Sequence, residues 1–167
     1  MKNLPLIILC SAFSMNAMAT CLNAPQKNIS QEHFSVADTG TVLDTKTGLV
    51  WMRCSLGQTW QDGSCQGTLS SYNWQQALEE GEKHVFAAQS DWRLPNVDEL
   101  KSIVEQQCAN PAINSSIFPV TAPFKYWSSS PSSYDKYNAW YVNFSDGSHK
   151  YNYKSFSKYV RLVRGGL

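Results

Sequence analysis

Hydrophobic positions recur along this chain with two different periods, and the change of period marks out its elements. Thr41-Val42-Leu43-Asp44 and Leu49-Val50-Trp51-Met52 flank a turn at Thr45-Lys46-Thr47-Gly48, the pattern of a hairpin in which Gly48 takes a positive φ at the end of the turn. Asn73 then heads a helix. Gln76, three residues on, completes a capping box, and Trp74, Ala77, Leu78 and Val85 share a face at helical spacing. Glu79, Glu80, Glu82 and Lys83 form its solvated side. A second helix follows Asp91-Trp92-Arg93-Leu94-Pro95, capped by Asn96 with Glu99 reaching back. Leu100, Ile103 and Val104 are its buried stripe, and Asp98 and Glu99 suit the positive end of its dipole. Residues 108–124 carry Pro111, Pro119 and Pro123 without periodicity and read as an ordered loop. From Phe124 onward the chain alternates like strands. Tyr126 to Ser129 is one. Ala139 to Ser145 is the next, with Trp140, Val142 and Phe144 on one face and Tyr141 and Asn143 on the other. Asp146-Gly147 is a hairpin turn signal. His149 to Tyr153 returns, and Tyr159 to Arg164 closes the chain with Val160 and Leu162 inward.

The first 19 residues have another character. Lys2 gives a positive start, Leu4 to Phe13 is an apolar run, and Ala17-Met18-Ala19 fits a small-x-small cleavage site. The run is too short for the roughly 20 residues a membrane span needs, so it reads as an export signal and the mature chain as starting at Thr20. The expected location is the periplasm, the cell surface or the medium. Residues 20–40 are polar and patternless and read as an arm, leaving 41–167 as one domain. Four cysteines remain after cleavage: Cys21, Cys54, Cys65 and Cys108. An even count in an exported domain favours two disulfides, with three possible connectivities. Cys54 and Cys65 flank a Gly-rich loop, so a local bridge is plausible, and Cys21 would then reach Cys108. No CxxC or HxxxH spacing supports zinc.

Charge is uneven. Residues 20–124 hold 6 basic and 11 acidic side chains, and residues 125–167 hold 7 and 2. The basic end can face an anionic partner, unless the two parts interleave on folding and mix their charges. The composition of that end points the same way. Between the strand-like blocks lie Ser132 to Tyr137 and Ser145 to Lys158, built almost entirely of Tyr, Ser, Asn, Lys, Asp and His. Such residues combine rigid contact area with adaptable hydrogen bonding. We read Tyr134, Asp135, Lys136, Tyr137, His149, Lys150, Tyr151, Tyr153, Lys154, Phe156 and Lys158 as a ligand-binding surface. Lysines would neutralise an anion and aromatic faces would stack on sugar rings.

Four ordered motifs carry a family resemblance: Thr47-Gly48-Leu49-Val50-Trp51-Met52-Arg53-Cys54, Asp91 to Asn96 with Glu99-Leu100, Trp127-Ser128-Ser129-Ser130, and Val160-Arg161-Leu162-Val163-Arg164. From about Phe34 to its end the chain resembles the C-terminal domain of the Legionella collagen-like adhesin. Arg93-Leu94-Pro95 and Arg161-Leu162 are also similar to formylglycine-generating enzymes and C-type-lectin-like folds. The resemblance implies an α+β, C-type-lectin-like domain, with two helices packed on small twisted antiparallel sheets. It also implies an adhesin-like module that binds an extracellular glycan, possibly sulfated, or another polyanion through its C-terminal loops. A protein ligand is the alternative, met by a diversified surface of the kind retroelements vary. The chain has no Gly-x-y stalk, so the avidity of a collagen trimer is not implied.

Other classes fit less well. Formylglycine chemistry needs a reactive cysteine pair in the C-terminal part, and no cysteine follows Cys108. His33, His84 and His149 are scattered, with no Ser/His/Asp signature, so no catalytic residue is expected. Leu94-Pro95-Asn96 has Leu94 where a calcium lectin needs a carboxylate, and hard cations need several oxygen ligands together. No metal or cofactor is expected. Export and a mature net charge of zero argue against nucleic acid.

Overall fold

The computed structural model describes residues 20–21 and 31–166. The expected export signal lies outside the described residues. The described residues form a mixed α+β, disulfide-bonded domain of small antiparallel sheets and two α-helices. In order, the elements are β1 (Thr20–Cys21), β2 (Phe34–Val36), β3 (Thr41–Asp44), β4 (Leu49–Met52), β5 (Thr59–Gln61), β6 (Ser64–Gln66), α1 (Trp74–Lys83), α2 (Val97–Ser102), β7 (Cys108–Ala109), β8 (Lys125–Pro131), β9 (Asn138–Asn143), β10 (His149–Tyr153) and β11 (Val163–Gly165).

The β3–β4 hairpin forms as its pattern predicts. Asp44 fixes the turn, its carboxylate accepting from Lys46 N at 3.0 Å and from Thr47 Oγ1 at 2.8 Å, and Gly48 sits at φ 71°. This hairpin is the middle of a four-stranded sheet, β11-β4-β3-β2. β2 lies within residues expected to be a patternless arm. Phe34 pairs with Asp44 in register, and its ring meets Phe118 edge-on, so a short apolar contact rather than alternation makes the strand.

Both capping boxes are present. Asn73 Oδ1 accepts from Gln76 N and Gln76 Oε1 from Asn73 N, while Asn96 and Glu99 repeat the arrangement at α2. Val85 departs from its expected place on the buried face. The first helix ends at Lys83, so Val85 is 70% exposed, and Phe86 packs against Trp92 instead. Gly81 lets the helix approach the Arg93-Leu94 backbone, where a Cβ would come within 2.9 Å of Leu94 N.

The second sheet, β10-β9-β8, divides the core. Tyr126, Val142 and Phe144 belong to one cluster with Trp51, Leu100, Ile113 and Phe118. Trp127, Ala139 and Tyr141 belong to the other with Met52, Trp92, Leu94 and Leu162. A strand buried on both faces loses its polar alternation. Tyr141, on the face opposite Trp140, Val142 and Phe144, is therefore buried as well, and Trp140 is only half-buried.

The last segment also differs from its expected form. Only Val163–Gly165 is a strand, and Val160 to Leu162 runs extended and buried beside the chain of the first hairpin. Leu56 N donates to Val160 O and Met52 N to Leu162 O. Between them Arg161, which simple alternation points outward, is fully buried. Its guanidinium donates to the carbonyls of Met52 and Arg53, to Thr121 Oγ1 at 2.7 Å and to Ser55 Oγ at 3.3 Å, with the Phe118 ring beneath it at 4.9 Å. Burial lowers its pKa to about 10. One side chain thus ties the final segment to the end of β4, the disulfide loop and the 119–124 loop.

Cys54 bonds Cys65 and Cys21 bonds Cys108. The first bridge closes the β5–β6 hairpin, formed inside what reads in sequence as a plain loop. Trp60 there is half-buried, its indole donating to Asp38 O and its ring lying 4.2 Å from the Arg53 guanidinium. The second bridge holds β1 against β7 in antiparallel register. In the chain-entropy description the short loop is worth about 3 kcal/mol and a loop near 100 residues about 4.7 kcal/mol.

Candidate ligand-binding surface

The β9–β10 hairpin and the loop before it carry most of the residues expected to bind ligand. The loop is held by its own polar side chains. Asp135 accepts from Tyr137 N at 2.9 Å and from Asn138 Nδ2 at 2.9 Å, and Ser132 Oγ accepts from Tyr134 N. Asp135 thus shapes the loop. Lys154 ties the same loop to the end of β10. Its ammonium donates to Lys136 O at 2.8 Å, its backbone N–H to Tyr137 O at 2.8 Å, and the ammonium lies 4.2 Å from the Trp74 ring centroid.

This scaffold presents a row of rings. Tyr151 is directly opposite Trp140, centroids 5.6 Å apart and edge to face. Tyr134 extends the row at 6.0 Å from Tyr151, and His149 continues it at 5.8 Å from Trp140. These spacings are those of interacting aromatic pairs. A second pair, Tyr153 and Phe156, stands at 6.2 Å. Tyr134 is 79% exposed and Tyr151 47%, and Tyr137, Tyr153 and Phe156 are exposed as well. Lys136 covers the Tyr137 ring at 5.0 Å. Trp140 is the member that alternation groups with Val142 and Phe144 on one strand face and that the expected ligand surface left out. Its signal lay in the register, since only pairing with Tyr151 shows which side it joins.

The remaining lysines divide. By strand pairing, Lys150 lies opposite Tyr141 and Lys125 opposite Asn143, on the sheet face away from the ring row. Lys150 is exposed. Lys158, expected among exposed loop residues, is 5% exposed. Its ammonium sits 4.2 Å from the Trp127 ring, 4.9 Å from Tyr141 and 5.8 Å from Phe156. Antiparallel pairing of its backbone with Tyr72 draws it in. Burial, and then the charge of Lys125, lower its pKa to about 8.

The basic excess of the C-terminal part is therefore largely used inside the fold. Arg161 is buried, Arg164 pairs with Asp91 at 2.6 Å, and Lys154 serves the loop. The two parts of the chain interleave, as β11 on β4 shows directly. Arg93, whose neighbours Asp91 and Asp98 bracket it in sequence, forks onto Glu99 with two bonds of 2.7 Å. The serines of β8 hold local contacts: Ser128 Oγ donates to Trp140 O, and Ser130 Oγ accepts from Val97 N. Among the described residues no group of three or more His, Cys, Asp or Glu side chains could hold a metal, and no helix is long and apolar enough to cross a membrane.

The ordered motifs and the fold they build have a counterpart among known families. The family model of the Lcl C-terminal domain matches residues 40–164. The chain belongs to that family. The match takes in both core clusters, the Cys54–Cys65 bridge and the whole ring row, and it begins just after β2. No curated protein matches the chain.

Proposed function

We propose that this Lcl C-terminal domain protein is an exported, non-catalytic binding module that recognises an extracellular glycan, on a scaffold of C-type-lectin-like type. The observation that carries the reading is the solvent-facing row Tyr134, Tyr151, Trp140 and His149 on a hairpin whose loop is locked by Asp135 and Lys154. Large aromatic surface left in water on a rigid frame marks interaction sites. Rings spaced along one strand pair suit a chain of sugar rings better than one isolated residue. Family membership and the two disulfides support an exported adhesin-like role.

Charge has a smaller part than the basic C-terminal sequence implies. Of the lysines read as binding ligand, Lys136 in the loop and Lys150 on the β10 face away from the ring row remain to meet a sulfate or carboxylate, while Lys154 and Lys158 are engaged by the fold. Stacking and hydrogen bonding from Asn and Ser dominate in this reading. The test is retention on immobilised neutral glycans and on heparin, each eluted with salt. Stacking-dominated binding survives rising ionic strength, whereas binding led by exposed lysines weakens. Retention on neither, with capture by a protein ligand, favours the receptor-type alternative.

A further inference from the structure

On the sheet face away from the ring row, a cleft of about 520 Å³ opens between β8, the end of β9 and the segment before the last strand. Its wall includes Lys125 and Lys158, with Asn143, Ser145, Ser71 and Ser157 as polar neighbours. The two ammonium groups converge on one ring, Lys125 at 5.5 Å and Lys158 at 4.9 Å from the Tyr141 centroid. Neither takes part in an ion pair among the described residues. The rings of Trp127, Tyr141 and Phe156 give the Lys158 ammonium partial compensation. Tyr141 has its own pKa raised by burial and then by Asp146, so it stays neutral. Asp146 is turned to Ser148 at the exposed hairpin tip. Burying a charge is costly unless it is paired, and here a second like charge stands beside it.

We propose that the Lys125–Lys158 cleft is a binding site for a singly charged oxyanion group, the carboxylate or sulfate monoester of a ligand. Such a group supplies the missing counter-charge. One charge suits the site better than two, because the desolvation of a dianion beside three aromatic rings costs more than one spare ammonium returns. The Asn143 amide and the serine hydroxyls that line the cleft offer the neutral donors an oxyanion needs once water is displaced. The site is separate from the ring row and stands whether or not that row binds glycan.

The test uses the oxidised protein and small anions, with ionic strength held constant by chloride. Acetate represents the carboxylate and methyl sulfate the sulfate monoester, each followed through the Lys ε-CH2 resonances and tryptophan fluorescence. The expected result is saturable binding of at least one of them, with the Lys158 titration moved to higher pH when it is bound. Lys158→Met lowers that affinity at least tenfold, Lys125→Met lowers it several-fold, and Lys46→Ala, in the exposed β3–β4 turn, leaves it unchanged. A response to acetate alone assigns the site to carboxylates and a response to methyl sulfate alone to sulfate esters. Non-saturating responses to both overturn the proposal, as does equal binding by a folded Lys158→Met protein.

Discussion

Replacing Arg161 by Met tests how the fold is held together at its least expected point. The methionine keeps most of the volume and the contact with Phe118 but removes every donor. Ser55 keeps a partner in the Tyr126 hydroxyl at 3.0 Å, and Thr121 keeps the Phe118 carbonyl at 2.8 Å. The carbonyls of Met52 and Arg53 lose the guanidinium. Each buried polar group left without its partner costs about 1–3 kcal/mol. Against this stands relief from burying a cation that has no carboxylate beside it, a change that can itself be stabilising by about 1–4 kcal/mol. The carbonyls weigh more here because the bonds to them join segments 108 and 109 residues apart in sequence. The net loss is about 3 kcal/mol, and at about 2–4 °C per kcal/mol for a domain near this size the melting temperature falls by roughly 10 °C. Denaturant unfolding of the oxidised protein, with unchanged slope, gives the number. Arg161→Lys, with one donor head instead of a fork, falls between the two. A Met variant within about 1 kcal/mol of the parent, or more stable than it, refutes the reasoning, because desolvation of the guanidinium would then outweigh its bonds.

Other substitutions read other parts of the account. Lys158→Met keeps the packing among the rings and removes a desolvated charge, so we expect no loss of stability at neutral pH. The folded pKa of about 8 lies below the ordinary 10.5, so between these values the unfolded chain holds a proton the folded one has shed, and this lysine's contribution to stability rises with pH. Thermal unfolding from pH 7 to 10.5 should show that rise in the parent and not in Lys158→Met. Gly81→Ala replaces a poor helix former by the best one, yet its Cβ would meet the Arg93-Leu94 backbone. The expected result is destabilisation of about 1–3 kcal/mol by overpacking, and any gain contradicts the close approach. Glu99 is pushed upward by burial, but the Arg93 hydrogen bonds, the Asn96 N–H and the Arg93 charge together hold it below its usual range. Its stabilisation is present above the ordinary carboxylate pKa and lost as pH falls through the lowered one, a loss absent in Glu99→Gln when the two are unfolded across that window.

Much of this molecule is legible in its sequence, and the reasons are local. Asn73 with Gln76 and Asn96 with Glu99 announce their helices because a capping box closes within four residues. Gly48 and Asp146-Gly147 mark hairpins for the same reason, since a turn is decided by its own residues. What fails is what depends on partners far away in the chain. The burial of Arg161 rests on carbonyls more than 100 residues upstream, so alternation alone sends it outward. Alternation separates the faces of Tyr141 and Trp140 but not their burial, because the β8–β9 sheet is covered on both sides. The candidate ligand surface shows the same division. Its loops and rings are visible as composition, but their order along the hairpin requires the register of β10 on β9. The fates of Lys154 and Lys158 require knowing that Trp74 and Trp127 lie beside them. Lys125, adjoining a strand block, is invisible as a site residue until the cleft is seen.

The central claim is that a rigid row of exposed rings binds glycan. The most direct measurement is affinity on a panel of immobilised neutral and acidic glycans, comparing the oxidised protein with Tyr134→Ala/Tyr151→Ala. The account predicts a glycan bound by the parent and weakened at least tenfold in the double variant, with melting temperature within a few degrees because both side chains face solvent. Equal binding by the variant, or no glycan retained by the parent, contradicts it.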